Sequence, residues 1–172
     1  YYTVGFTLTV SYLRMIFVAM DADYFPRLSA AVGHTREMNL LINRQINMLV
    51  VLMTPFLIIF SLSLPLIIHV LYTSNFLVVV PMVLAAVPYM YFKSIYTPVA
   101  YISLAKGDSL IYMTLELTYD VVFALCVIGG FLWKGFLGAG LGIMTANLFD
   151  LVLITSFCYH HYHYRINRAT LR

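Results

Sequence analysis

The sequence predicts an all-α fold, a polytopic membrane helix bundle of about five transmembrane helices. Three observations carry that expectation. First, 62% of the 172 residues are hydrophobic and only 10% are charged, with a mean hydropathy of +0.90. A soluble domain carries about a quarter charged residues and needs a polar skin around its core. Second, residues 45–92 contain no Asp, Glu, Lys or Arg, room for two crossings of ~20 residues and a reversal. Third, the apolar runs are long and lack period-2 alternation, which favours helices over a barrel. These features exclude a soluble enzyme, a disordered segment and a disulfide scaffold. The net charge of +3 is too small and dispersed for a nucleic-acid-binding surface.

Spans are expected near 2–21, 46–71, 77–104, 110–132 and 136–158, with a tail at 159–172. Tyr72-Thr73-Ser74-Asn75 marks the reversal after the second span, and Pro81 follows early in the third. Met38, Leu41, Ile42 and Met48 recur at helical spacing, so the second helix should extend beyond its span as a turn or two of amphipathic helix. Gly138 and Gly142 form a GxxxG pair at the start of the fifth, suited to close helix packing. Pro55 and Pro65 in the second span, and Pro81, Pro88 and Pro98 in the third, predict bends. Cys126 and Cys158 sit in apolar stretches and read as small buried hydrophobes. His160, His161 and His163 read as an interfacial anchor rather than a metal site. Residue 1 is Tyr, so the chain reads as a piece of a longer protein.

Basic residues set the expected sidedness. Arg27, Arg36 and Arg44 follow the first span, Lys106 the third, and Arg165, Arg168 and Arg172 the fifth; Lys134 alone lies opposite. The positive-inside rule then puts the C-terminus in the cytoplasm and residue 1 outside.

Five charges fall inside the expected spans: Arg14, Lys93, Glu116, Asp120 and Asp150. Each costs about 2.5–3.5 kcal/mol at a helix centre facing lipid, so inward faces are expected. Counted at ~1.5 Å per residue, all five lie roughly 12–20 Å from the cytoplasmic ends and could share one interior. Thr7, Ser11 and Arg14 share one helical face, as do Tyr89, Lys93 and Thr97. Glu116 and Asp120 stack one turn apart, and Asn147 and Asp150 lie three apart. Two readings fit: structural ion pairs, such as Arg14 with Glu116 and Lys93 with Asp120, or a hydrated cavity where cations hold an anionic headgroup and carboxylates bind a proton or Na⁺. No motif for bond-making chemistry is present, so an enzyme is not expected.

Several segments resemble a known family. The run from Ala19 through Asp21, Asp23, Pro26 and Arg27 to Ala30 is similar to the segment closing the eighth span of polysaccharide flippases of the multidrug/oligosaccharidyl-lipid/polysaccharide superfamily. Pro65 to Tyr72, Ala105 to Ser109 and the Gly135-to-Gly142 cluster resemble the Wzx-type O-antigen branch in order and spacing. The resemblance implies that residues 1–172 are the C-terminal part of a two-lobe transporter of about twelve helices. It implies flipping of undecaprenyl-pyrophosphate-linked O-antigen repeat units across the bacterial inner membrane by alternating access coupled to H⁺ or Na⁺, with no other cofactor.

Arg14 and Lys93 would hold the headgroup phosphates; Glu116, Asp120 and Asp150 would couple the ion; Pro26 and Arg27 would form a gate or hinge. Partners implied are the lipid-linked oligosaccharide, membrane lipids, and a polysaccharide polymerase with glycosyltransferases. The alternatives are a related transporter of another cargo, lipid II or a cationic drug, and a non-transporting membrane scaffold.

Overall fold

The computed structural model describes residues 17–18, 22–71 and 79–165. Of the expected first span only residues 17–18 are described; Arg14 lies outside the described residues. Of the described residues 92% are helical, and none is in a strand. Five elements follow in order: α1 (22–30), α2 (Thr35–Leu71), α3 (Val80–Ala86), α4 (Pro88–Ala105) and α5 (Ser109–Tyr162).

Helix α2 runs unbroken through Pro55 and Pro65 and starts at Thr35, well ahead of the charge-free stretch. The amphipathic extension is therefore helical. Its buried side chains Met38, Ile42, Ile46, Leu49, Met53, Leu57, Phe60, Leu64 and Ile68 recur every three or four residues and form the seam that packs against α4. The helix expected over 77–104 is instead two, α3 and α4, joined at Val87. Pro88 causes the break: it has no N–H to give the preceding turn. The chain nonetheless keeps its direction, because Val87 retains helical angles (φ −46°, ψ −43°).

At the end of α4, Gly107 takes φ +83°. The Gly107 N–H then reaches the Leu104 carbonyl (3.1 Å) and the Asp108 N–H the Ser103 carbonyl (2.9 Å), a Schellman stop that closes the helix. Helix α5 begins at once, and Lys134 and Gly135 carry non-helical angles (φ −136° and +59°). This is a reversal. A Cβ on Gly138 would overlap the Gly130 carbonyl, and one on Gly142 the Cys126 carbonyl. In a straight helix Cys126 and Gly142 would stand about 24 Å apart. Residues 109–133 (arm α5a) and 136–162 (arm α5b) thus form an antiparallel hairpin in backbone contact. Gly140 meets the Met82 carbonyl in the same way, which seats α3 against α5b.

The tail, expected from residue 159, begins later. Helix α5b continues to Tyr162 because nothing from Tyr159 onward breaks it until His163, whose φ of +56° lets its N–H cap the Cys158 carbonyl. Tyr162 donates to Asp108 Oδ2 (2.7 Å), Lys106 Nζ lies 4.7 Å from the Tyr162 ring centre, and Asn43 Nδ2 donates to the Arg165 carbonyl (3.1 Å). These contacts gather the start of α2, the α4–α5 turn and the tail at one end of the bundle. Lys134 caps the hairpin at the other, against Trp133.

Among the described residues two helical stretches are long and apolar enough to cross a membrane, Thr35–His69 and the hairpin Ser109–Tyr162. Only 22% and 11% of their most apolar windows are buried inside the molecule. A core helix of a soluble protein is mostly buried, so these apolar surfaces point to association with a membrane.

Candidate functional site: a buried polar centre

The core of α5b is made of small and polar residues. Gly138, Ala139, Gly142, Ile143, Ala146, Asn147, Asp150 and Ile154 are all buried and recur at helical spacing on the face toward α4 and α5a. Small side chains let the three backbones approach, and that leaves Asn147 and Asp150 enclosed.

Asn147 is fully buried and bonded through both its amide oxygen and its amide nitrogen. Its Oδ1 accepts from the Tyr96 hydroxyl of α4 (3.0 Å) and the Tyr119 hydroxyl of α5a (3.3 Å). Its Nδ2 donates to the Ile143 carbonyl (2.8 Å). One amide therefore ties three helical segments together. One turn further on, Asp150 is 3% exposed, and its Oδ1 has no hydrogen-bond partner among the described residues. Tyr96 lies beside this carboxyl, and Glu116, Lys93 and Asp120 are within electrostatic range of it.

The other expected site residues lie around this centre. Lys93 is half-buried, its Nζ 5.7 Å from the Phe17 ring centre and 5.9 Å from that of Tyr89. That geometry stabilises an ammonium inside an apolar helix bundle. Tyr89 and Thr97, expected on its face, are buried. Glu116 is half-buried and faces the same layer. Asp120 departs from expectation: its side chain is exposed. Arm α5a is packed on one side only, and four residues of helix rotate a side chain by about 40°, enough to carry Asp120 off the packed face.

Pro26 and Arg27 lie apart from the centre, exposed on α1, where Arg27 pairs with Asp23 (2.8 Å). Helix α1 itself is docked by Tyr24, whose buried hydroxyl donates to the Pro98 carbonyl (2.8 Å). Burial raises the Tyr24 phenol above its ordinary range, with nearby Tyr164 and Tyr101 adding to the effect.

Sequence reasoning singled out the charges and missed Tyr96 and Tyr119, which hold the centre together. A signal existed for Tyr96, which lies three residues beyond Lys93 on the same helical face. Among the described residues no cluster of His, Cys, Asp or Glu could hold a metal ion. The two cysteines are unbridged, and the buried Cys158 thiol points at the Val99 carbonyl (3.7 Å).

What the fold and site define is an apolar helix bundle with leucine-rich surfaces and a buried polar centre. No family model, curated protein or solved structure matches the chain.

Proposed function

We propose that this chain is part of a multi-pass membrane transporter that flips an anionic, lipid-linked glycan, of the undecaprenyl-pyrophosphate-linked O-antigen type, across the bacterial inner membrane. The observation that carries the reading is the convergence of Lys93, Glu116 and Asp150 on one layer of a bundle whose outer surfaces are apolar, with Asp120 exposed at its edge. Charges at that depth in lipid are costly and mark pathways for ions or substrates.

In this reading Lys93, joined by Arg14, meets the diphosphate of the lipid carrier. Asp150, enclosed and with one carboxylate oxygen unpartnered, is the coupling group for H⁺ or Na⁺, with Glu116 and Asp120 on the path between it and the cavity. Arg27 and Pro26 act as a hinge, since their exposure and the Asp23 pair hold them away from the centre. The end carrying Arg36, Lys106 and Arg165 faces the cytoplasm.

A second reading, export of a cationic cargo, draws on the three carboxylates that accompany Lys93. The same assay separates the two. The complete transporter is reconstituted in proteoliposomes and translocation of a fluorescent pyrophosphate-lipid glycan is followed. Lys93→Ala and Arg14→Ala should slow flipping about tenfold or more while leaving the protein folded, and Asp150→Asn should remove its dependence on the pH or Na⁺ gradient. Wild-type flipping in both cation variants would contradict the headgroup site.

A further inference from the structure

At the end of the bundle away from Lys134, cavities of about 480, 530 and 290 Å³ open around one side chain, Arg165. The 530 Å³ cavity lies between the first turns of α2 and the start of the tail, with Arg36, Asn39 and His163 in its wall. Its shape is fixed by the bond from Asn43 to the Arg165 carbonyl and by the left-handed cap at His163. Two polar atoms buried here have no hydrogen-bond partner among the described residues: Asn39 Oδ1 and the Tyr164 hydroxyl. Tyr164 is 1% exposed and lines the 480 Å³ cavity together with Arg165.

We propose that this crevice binds a phosphate group. Two guanidiniums provide planar forks that match phosphate oxygens. The His163 ring N–H adds a donor, and the first-turn N–H groups of the long helix α2 favour an anion, while Glu37 of that turn does not line the crevice. None of the residues lining the three cavities is Asp or Glu. The site also has the right depth. Asn39 and Asn43 lie within about 8 Å of Arg44 along the helix, where the charge-free stretch begins, and that distance matches the headgroup layer. Basic crevices between helices at that level hold anionic lipid headgroups. This site is separate from the Asp150 centre, and it stands whether or not the chain transports a glycan.

The test uses the full chain in nanodiscs of phosphatidylcholine, with and without cardiolipin. Lipid retention is read by native mass spectrometry, and orthophosphate binding by phosphorus NMR. Cardiolipin should be retained over phosphatidylcholine, about fivefold less in Arg36→Gln or Arg165→Gln and about 25-fold less in the double variant. Lys134→Gln at the opposite end should not change retention. Retention that orthophosphate does not displace assigns the phosphate to a lipid. Orthophosphate binding with the same dependence on Arg36 and Arg165 assigns it to a free anion. Wild-type retention in the double variant, or no binding of either probe, would overturn the site.

Discussion

The two arms of α5 share one hairpin and have opposite surroundings. On α5a, Leu110, Met113, Leu117, Val121, Leu125, Ile128 and Leu132 form a single exposed stripe, with Leu132 80% accessible. On α5b the buried stripe holds glycine, alanine, Asn147 and Asp150. In water this arrangement would be inverted, because leucine drives burial and Asp resists it. In lipid, leucine gains little from a protein neighbour. Association there comes from close backbone contact and from polar groups that need partners. The difference teaches that the two arms answer to different solvents: α5a to hydrocarbon, α5b to the polar interior it helps to build.

The largest expected break in this comparison is at the hairpin. Gly138→Leu would drive a side chain into the Gly130 carbonyl and should destabilise the bundle by about 3 kcal/mol or more. Gly129→Leu, on the side with open space, should be near neutral; thermal unfolding in detergent reads both. Next comes the lipid-facing stripe. Leu125→Arg should raise the insertion free energy of α5a by about 2.5–3.5 kcal/mol in a translocon glycosylation assay, and an unchanged value would place the stripe against water. A smaller effect belongs to the inner arm. Asn147→Ala strands the Tyr96 and Tyr119 hydroxyls and should cost about 1–2 kcal/mol, against almost nothing for Thr118→Ala, whose hydroxyl bonds only its own helix.

The smallest effect is in pH. Burial favours the neutral phenols of Tyr24 and Tyr164, raising both above their ordinary range. The native state therefore holds these protons to higher pH than the unfolded chain does. Their contribution is fully present below about pH 10 and is lost as pH rises beyond it. Fluorescence-detected melting should show a stability decline above that pH, attenuated in Tyr24→Phe.

Much of this was legible in the sequence. Residues 45–92 marked a long apolar stretch, the gap between the spans expected at 110–132 and 136–158 marked the reversal, and Gly138 and Gly142 marked close packing, because each is a local property of composition. The split at Val87 was half-legible: Pro88 announces a bend, but whether a bend becomes a break depends on what packs beside it. The polar centre was legible through its charges and hidden in its tyrosines. A tyrosine suits an apolar helix equally well as a surface anchor or as an internal donor, and only the opposing Asn147 decides which. Asp120 was misplaced for the same reason, since helical spacing gives an angle but not the surface that angle meets.

One measurement tests the inside-out arrangement most directly. Spin labels at Asp120→Cys and Leu125→Cys, in the full-length protein in a bilayer, should show opposite collision behaviour although they lie on one helix. The expected result is high oxygen and low nickel-chelate accessibility at Leu125, with the reverse at Asp120, whose exposed carboxylate lies within electrostatic range of the Asp150 centre. High nickel accessibility at both positions would contradict it, since α5a would then be an arm bathed in water.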